Sequence, residues 1–370
     1  MNASTRPSLK VLPSAGLRSV IGGAVLCLMA GCATSSKTAK TAYEFFPPPP
    51  DEPRLQYLTS FHTEKEFRGG DDRSFMSYVT GQKPPTKEIS KPYGLAEHGH
   101  KFYICDTDYG GLIVADLQTR SMRLLAWQGP GRLNLPVNVA VDQDGIIYVA
   151  DSGRDQVMIY DKQENYVGAL GKVGEMKPRD VAVSQDRIYV ADIQNRCVHV
   201  YDKATRTNRL FDIPRGKEST NLASRLFMPT NLALDSQGRL YVADTGAFRV
   251  QVYDTDGHHL RSIGGMGDSP GQFARVKGIA LDRADRLYAA DAMSQVIQVF
   301  DEQGRVLTWF GEPGVDRRLQ ILPAKVAVDY DDVGYFQKFV APDFRVEYLV
   351  LVVNQMGAHK VSVYGFGHKK

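Results

Sequence analysis

The chain has 370 residues, of which 43% are hydrophobic, 10% aromatic and 24% charged, a composition typical of a soluble globular protein with a large core. All-β architectures of this length can form a single domain. The formal net charge is +3, but residues 1–31 hold three basic residues and no acidic residue, so the remainder of the chain is formally neutral. This neutrality excludes nucleic-acid binding driven by overall charge, although it is compatible with a local basic patch.

The N-terminal segment predicts export. Arg6, Lys10 and Arg18 form a basic region, and the apolar run over 20–30 is too short to span a bilayer. The run ends in Leu-Met-Ala-Gly followed by Cys32, which resembles the lipobox of bacterial lipoproteins. The resemblance implies that residues 1–31 are a signal peptide and that Cys32 carries lipid, including acyl chains such as palmitate. The alternative is an ordinary signal peptide with an incidental cysteine. Ala33, where Asp would mark retention in the inner membrane, implies the outer membrane.

The next segment predicts a tether. Residues 32–53 combine Ser, Thr, Ala and Lys with four consecutive prolines at 47–50, a pattern typical of a solvated and partly stiff spacer. The folded domain is then predicted over 54–370. Cys105 and Cys197 fall in strands of different repeats, so we predict two free thiols, although export would permit a disulfide.

The folded part begins with an isolated element. Residues 54–61 predict one strand without a hairpin partner, and the polar stretch 62–90 predicts an ordered loop or a mobile lid.

A short motif then recurs at intervals of about 40 to 60 residues. Tyr-Val-Ala-Asp and its variants occupy residues 103–106, 148–151, 189–192, 241–244, 288–291 and 351–354. A short apolar strand precedes most copies and alternating strands follow them, separated by Gly, Asp or Asn. About four strands per repeat of this length are typical of a β-propeller blade.

The consensus Pro-x-x-(Val/Ile/Leu)-Ala-(Val/Leu)-Asp, then Gly-x-(Ile/Leu)-Tyr-Val-Ala-Asp and a turn with Arg, resembles the NHL repeat, most closely over 135–170 and 228–264. The resemblance implies an all-β, six-bladed β-propeller. The last repeat has strands at 324–329, 347–354 and 359–364 but lacks a fourth. Because an unpaired edge favours aggregation, we predict that the strand over 54–61 closes this last blade.

The repeated acidic residues have two interpretations. As an inward ring they could bind Ca²⁺ through carboxylate oxygens. As turn caps they would accept backbone N–H bonds. Recurrence in every repeat favours the second, so we predict no metal site and no cofactor, with calcium as the weaker alternative. The residues are Asp106, Asp151, Asp192, Asp244 and Asp291.

Ligands of propellers usually bind at the mouth of the central channel. The positions that enter the innermost strands hold Asn138, Arg179, Asp180, Asn231, Lys277 and Lys325. Arg154, Arg196 and Arg249 follow the second strands, where NHL repeats often carry Arg. On a shared face these side chains would form an electropositive rim for a carboxylate, a phosphate or an acidic partner. The alternative is that the Arg side chains pair with the repeated Asp residues.

Three stretches are longer than blades need, over 62–90, 214–228 and 330–345. The last contains Tyr335, Phe336 and Phe339, which are candidates for partner contact because aromatic residues on loops often anchor interfaces. The alternative is that they cover the last blade.

Similar propellers include amidating lyases with His-bound zinc and streptogramin lyases that use His with Mg²⁺. The eight His residues of this chain do not recur at equivalent inner-strand positions, and no HExxH, zinc-cluster or Gly-x-Ser-x-Gly spacing occurs. We therefore predict a non-enzymatic binding or scaffolding lipoprotein of the bacterial envelope with a protein partner. The resemblance extends to NHL-type lipoproteins that accompany multihaem cytochromes and other envelope complexes. The alternative is a metal-dependent lyase or hydrolase at the channel mouth. A nucleic-acid partner is not expected.

Overall fold

The computed structural model describes residues 43–69, 87–126, 128–216, 220–311 and 320–370. The predicted signal peptide, Cys32 and the middle of the 62–90 stretch lie outside the described residues.

Short strands form six antiparallel sheets, which are the blades of a six-bladed β-propeller. The first elements along the chain are β1 (Glu44–Phe46), β2 (Leu55–Phe61) and α1 (Glu64–Phe67). Blade one contains β3 (Pro92–His98), β4 (Lys101–Asp106), β5 (Gly111–Asp116) and β6 (Ser121–Leu125). Blade two contains β7 (Pro136–Val141), β8 (Ile147–Asp151), β9 (Gln156–Tyr160) and β10 (Tyr166–Leu170). Blade three contains β11 (Pro178–Val183), β12 (Arg187–Asp192), β13 (Cys197–Asp202) and β14 (Arg209–Ile213).

The second half of the ring follows the same order. Blade four contains β15 (Pro229–Leu234), β16 (Leu240–Asp244), β17 (Arg249–Tyr253) and β18 (His259–Ile263). Blade five contains β19 (Val276–Leu281), β20 (Leu287–Asp291), β21 (Val296–Phe300) and β22 (Val306–Phe310). Blade six contains β23 (Pro323–Asp329), β24 (Phe344–Asn354) and β25 (Val361–Lys369) together with β2 and β1. Within the described ranges, the remaining helical turns are α2 (Val333–Phe336) and 3-10 turns at Thr245–Ala247 and Gln337–Phe339.

Proline marks the beginning of most innermost strands. These strands form the inner edge of each sheet, where a residue without an N–H group can be tolerated at the first position. The prolines are Pro92, Pro136, Pro178, Pro229 and Pro323. We call the side of the ring on which the innermost strands begin the top face and the opposite side the bottom face. Because the strands are antiparallel, the blade connections and the turns between second and third strands lie on the top face.

The last blade is built from both ends of the chain, as the sequence predicted. Strand β2 pairs antiparallel with β25, from Leu55 opposite Phe366 to Phe61 opposite Val361. Strand β1 adds a fifth strand outside β2, which the sequence did not predict. The tether expected over 32–53 therefore ends earlier, because the Phe46 ring packs 6.0 Å from the ring of Tyr364.

Apolar side chains fill the spaces between neighbouring blades. For example, Tyr148 of blade two packs in one cluster with Val190 of blade three. Cys105 in blade one and Cys197 in blade three are free thiols, as predicted. Within the described ranges, no helix has the length and hydropathy that a membrane crossing requires.

Candidate interaction face and axial channel

The repeated Asp residues cap turns on the top face. Asp151 accepts backbone N–H bonds from Asn134 and Leu135 of the preceding blade connection, at 2.7 and 2.9 Å. It also accepts them from Gly153 and Arg154 of the following turn, at 2.9 and 3.1 Å. The same carboxylate position bonds backbone N–H groups in four other blades, through Asp106, Asp192, Asp244 and Asp291. These bonds agree with the capping interpretation.

The three predicted arginines lie on the top face, but away from the channel. Arg154 donates to the carbonyl of Arg132 at 2.6 Å, and Arg249 donates to the carbonyls of Leu222 and Arg225 at 3.2 Å. Arg196 is exposed in its turn. Arg154 and Arg249 thus fasten blade connections through backbone carbonyls, an arrangement that neither sequence interpretation anticipated.

The third position of each innermost strand forms a ring of six residues around the axis, near the top of the channel. A Cβ at Gly94 would lie 2.3 Å from Asn138 Oδ1, and a Cβ at Gly278 would lie 2.5 Å from the Ala324 carbonyl oxygen. Glycine at these two positions therefore lets adjacent innermost strands approach closely. The ring consists of Gly94, Asn138, Asp180, Asn231, Gly278 and Lys325.

A buried ion pair crosses this ring. Lys325 Nζ lies 3.9 Å from Asp180 Oδ2 and donates to Asn231 Oδ1 at 3.0 Å. Asp180 Oδ2 also accepts the Leu232 N–H at 2.7 Å. Burial raises the pKa of Asp180 to about 6 although Lys325 opposes the shift, and burial lowers the pKa of Lys325. The sequence-predicted residues Asn231, Asp180 and Lys325 are therefore brought together.

Two amide groups in the ring have unused donors. Asn138 and Asn231 are each 1% exposed, and within the described part of the chain their Nδ2 atoms have no hydrogen-bond partner. Buried donors of this kind are normally satisfied. The ring can therefore donate hydrogen bonds to a further polar group or to water.

Two of the six innermost strands, β11 and β19, carry a cationic side chain at their second position, immediately above the ring. The Arg179 guanidinium and the Lys277 ammonium lie over the Tyr93 ring, 5.8 and 4.9 Å from its centroid. Lys277 also donates to Gln355 Oε1 at 2.8 Å. Burial, together with the charges of Arg275 and Arg179, lowers the pKa of Lys277 to about 8. Arg179 and Lys277 thus place positive charge at the mouth on the top face, without Arg154, Arg196 and Arg249, which the sequence had grouped with them.

Below the ring, most of the side chains that line the channel are aliphatic. A cavity of about 370 Å³ is lined by all six innermost strands, including a ring of alanines at their fifth positions. Glu97 lies towards the bottom face, where burial and the charges of Asp329, Asp331 and Asp332 raise its pKa to about 8. The two ends of the axis thus differ in their ionisable groups, with Arg179 and Lys277 at the top and a cluster of carboxyl groups at the bottom.

Exposed apolar side chains encircle the mouth on the top face. They lie in blade connections or in turns between second and third strands, and all six blades border them. Their exposed fractions range from 37% to 73%. The residues are Tyr109, Leu135, Val173, Leu222, Met228, Met266, Met293 and Met356. Among the residues that the structure describes, and apart from Tyr43, the other large exposed apolar residues lie on the outermost strands, at Tyr166, Val167, Leu210, Leu260, Leu307 and Trp309. These residues were not among the predicted site residues, although methionine at turn positions was the available signal.

The aromatic candidates lie on the opposite face. Tyr335, Phe336 and Phe339 belong to the segment between β23 and β24, which runs along the bottom face. Phe336 is buried, and Tyr335 donates its hydroxyl to the Phe67 carbonyl at 3.0 Å. Phe339 is half-buried against the same cluster. These contacts are those of a cover over blades six and one.

Comparison with known proteins supports the architecture. A family model described as 6-bladed beta-propeller matches residues 225–310. The chain is similar to NHL repeat-containing protein 3 of Homo sapiens, at 27% identity over 216 residues that cover 55% of this chain and 62% of that protein. It is also similar to Protein brain tumor of Drosophila melanogaster, at 26% identity over 142 residues that cover 36% of this chain and 13% of that protein. The chain therefore spans less than two thirds of the length of either relative.

Solved structures share the fold at low identity. A catalytically inactive virginiamycin B lyase from Staphylococcus aureus with quinupristin has a TM-score of 0.52 at 10% identity, covering 75% of this chain and 96% of that one. A streptogramin B lyase has a TM-score of 0.51 at 11% identity, covering 76% and 85%. Hydrazine synthase of Kuenenia stuttgartiensis has a TM-score of 0.50 at 13% identity, covering 77% and 98%. The chain is a six-bladed β-propeller that is similar to NHL-repeat proteins.

Proposed function

We propose that the protein is a non-enzymatic binding or scaffolding protein whose top face binds a protein partner. The observation that supports this most strongly is the ring of exposed apolar side chains around a cationic mouth. Large apolar side chains grouped on one face of a soluble protein commonly mark an interaction surface. The bottom face has the opposite character, because carboxyl groups surround its end of the channel.

The composition of the top face defines the kind of partner. Four of the exposed residues are methionines, Met228, Met266, Met293 and Met356, whose flexible thioethers adapt to irregular surfaces. Arg179 and Lys277 at the centre favour an acidic group. The proposed partner therefore presents an apolar surface with a carboxylate at its centre. Methionine and arginine are both enriched at protein interfaces.

The site chemistry favours binding over the alternative of a metal-dependent lyase or hydrolase. Such an enzyme needs at least two His or carboxylate side chains converging at the mouth. Asp180 is the carboxylate of the inner ring, and its charge is already paired with Lys325. A calcium site at Asp151 would have to compete with the backbone N–H bonds that both of its carboxylate oxygens accept.

The proposed location is the bacterial envelope, with a lipid anchor on Cys32 and the outer membrane as the destination. The lipobox-like residues before Cys32 are the basis for this part of the proposal. One acyl chain binds a membrane only marginally, so several chains would be required for stable anchoring. Radiolabelled palmitate should be incorporated into the wild-type chain and not into Cys32→Ser. Equal labelling of both would contradict the anchor.

Affinity capture with matched variants tests the top face. The full chain is solubilised in detergent from membranes of cells that express it naturally, and co-purifying proteins are quantified. We expect a stoichiometric partner with the wild type, and its loss by at least about tenfold with the double variant Met293→Asp and Met356→Asp. The control is Leu307→Asp, an exposed position on the outermost strand of blade five. Equal recovery with the top-face variant and the control would contradict the proposal, as would recovery of the protein alone.

A further inference from the structure

Blade three departs from the repeat at two neighbouring positions. Cys197 lies opposite Asp192 in the β12–β13 pairing, and His199 follows two residues later on β13. Blades four and five hold Gln251 and Gln298 where blade three holds His199. Those glutamines donate to backbone carbonyls of the blade connections, at 2.9 and 2.7 Å. The blade architecture therefore does not require a cysteine and a histidine here.

The side chains of this departure converge on the imidazole. His199 Nε2 lies 2.9 Å from Asp192 Oδ2, and Cys197 Sγ lies 3.6 Å from His199 Nδ1 and 3.9 Å from Nε2. The three potential ligand atoms all lie within 4.8 Å of one another. His199 Nδ1 lies 2.8 Å from Asp212 Oδ1 on β14. Asp212 is held in turn by Arg209.

Burial and access both suit a bound ion. His199 and Asp192 have side chains exposed by only 2% and 0%, so water competes little for a ligand between them. Cys197 is half-buried, and the Asp212 side chain is 34% exposed, so the cluster can be reached from solvent.

We propose that Asp192, Cys197 and His199 form a binding site for a divalent transition-metal ion, with zinc as the best match. Thiolate sulfur, imidazole nitrogen and carboxylate oxygen are the zinc ligands of proteins, at about 2.0 to 2.3 Å from the metal. Tetrahedral geometry would place the ligand atoms about 3.3 to 3.7 Å apart. To reach this spacing, the Asp192 oxygen and the His199 nitrogen would move slightly apart, and the Cys197 sulfur would move closer to Nε2. A fourth position remains for water or an external ligand.

Asp212 acts as a positioning residue for this site. Histidine ligands of metals commonly donate their second N–H to a carboxylate, which fixes the orientation and tautomer of the ring. Asp212 occupies this place at Nδ1 and leaves Nε2 directed towards Asp192.

The proton balance of binding is simple. Metal–oxygen, metal–sulfur and metal–nitrogen bonds form to Asp192, Cys197 and His199. Two protons pass to buffer, one from between Nε2 and Asp192 and one from the thiol of Cys197. The Nδ1 proton stays on the imidazole and is donated to Asp212. No group is oxidised or reduced. The site goes beyond the partner-binding role and is independent of it.

Metal content of the full chain tests the site. The protein is stripped with a chelator, dialysed against zinc and analysed by elemental mass spectrometry. We expect about one zinc ion per chain for the wild type and for Cys105→Ser, which removes the buried thiol of blade one. Zinc affinity should fall at least about tenfold in Cys197→Ser and His199→Gln, and by about 10 to 100-fold in Asp212→Asn.

Two features keep the test decisive. His199→Gln introduces the residue that blades four and five carry, so its fold is expected to be retained, and the circular dichroism of the stripped variant checks this. Cobalt substitution adds a second readout, because a thiolate-to-cobalt charge-transfer band should appear in the wild type and not in Cys197→Ser. The proposal is overturned if the wild type binds no zinc at micromolar concentration. It is equally overturned if Cys197→Ser retains both the metal and the band.

Discussion

Lys325 and Asp180 pair across the channel axis, with Nζ 3.9 Å from Oδ2, although they belong to blades six and three on opposite sides of the ring. Blade six is the blade assembled from both ends of the chain. The pair therefore links the closing blade to the opposite side of the propeller. Lys325 Nζ also donates a hydrogen bond to Asn231 of blade four, so that three blades are connected through this lysine.

Lys325→Met should destabilise the fold by about 3 kcal/mol, because it leaves the buried Asp180 carboxylate without its cation. The decrease in the free energy of unfolding caused by Lys325→Met should grow as pH rises from about 5 to 8. Asp180 already has a raised pKa, and removal of Lys325 raises it further, so the folded protein resists ionisation of this group while the unfolded chain does not. Urea unfolding at several pH values measures both effects. In the double variant with Asp180→Asn, the loss should be smaller than the sum of the two single losses. Strict additivity would show that the two side chains do not interact.

Leu55→Ala should lower the free energy of unfolding by about 3 kcal/mol, because it opens a cavity in the core of the closing blade. Leu55 is 0% exposed and packs in the cluster that holds Tyr364 and Phe366. The matched control is Leu307→Ala, at a position 53% exposed, which should change stability by less than about 0.5 kcal/mol. Equal, small effects of the two substitutions would mean that β2 does not close the ring.

Glu97→Gln should stabilise the protein increasingly as pH rises. The folded pKa of Glu97 is raised to about 8 from 4.5, so the folded state holds a proton that the unfolded chain loses. The free energy of unfolding of the wild type therefore falls as pH rises from about 4.5 to about 8. The neutral amide introduced by Glu97→Gln does not ionise, so the variant does not lose this stability. The expected gain above pH 8 is roughly 1 to 4 kcal/mol, measured by thermal or urea unfolding.

Glu164→Gln is the contrasting control for this pH effect. Burial of Glu164 is outweighed by its bonds to Arg123 and Lys101, which hold its pKa below the ordinary value. Its carboxylate stabilises the fold above the unfolded pKa, and that contribution disappears as pH falls through the folded pKa. Glu164→Gln should therefore be destabilising at neutral pH and neutral in strong acid. The same sign for both substitutions would contradict the assignments.

Partner binding should depend on the cationic mouth. Arg179→Ala should weaken binding of an acidic partner about tenfold and reduce its salt dependence. Binding by the wild type should also weaken above pH 8, where Lys277 loses its proton. Titration of the purified complex by calorimetry at several salt concentrations measures these changes. Lys162→Ala, at an exposed turn of the bottom face, should leave the affinity unchanged. A similar loss with Lys162→Ala would mean that the attraction is not local to the mouth.

The sequence predicted much of the fold because the repeat is regular. The missing fourth strand of the last repeat and the isolated strand near residue 54 were complementary, and β2 pairs with β25 accordingly. The turn caps followed from the recurrence of Asp. Strand β1 was not predictable from three residues beside a proline run. Its two phenylalanines are explained only by the aromatic rings they meet in blade six.

The site was predicted less completely, because it depends on contacts between distant blades. Asn138, Asn231 and Lys325 were identified as inner-strand residues, but the pairing of Lys325 with Asp180 follows only from their positions across the closed ring. The apolar ring escaped notice because its members occur singly in turns. The cluster around His199 follows no known motif spacing, since β12, β13 and β14 each contribute to it.

Site-specific photo-crosslinking tests the central claim most directly. A photoreactive amino acid is placed in the full chain at Met293 or Met356 on the top face, at Lys162 on the bottom face, or at Leu307 on an outermost strand. Cells that naturally express the protein are irradiated, and the adducts are identified by mass spectrometry. We predict one common partner crosslinked from both top-face positions and absent from the other two. Adducts of equal yield from the bottom face or the outermost strand, or no adduct from the top face, would contradict the assignment of the top face as the binding surface.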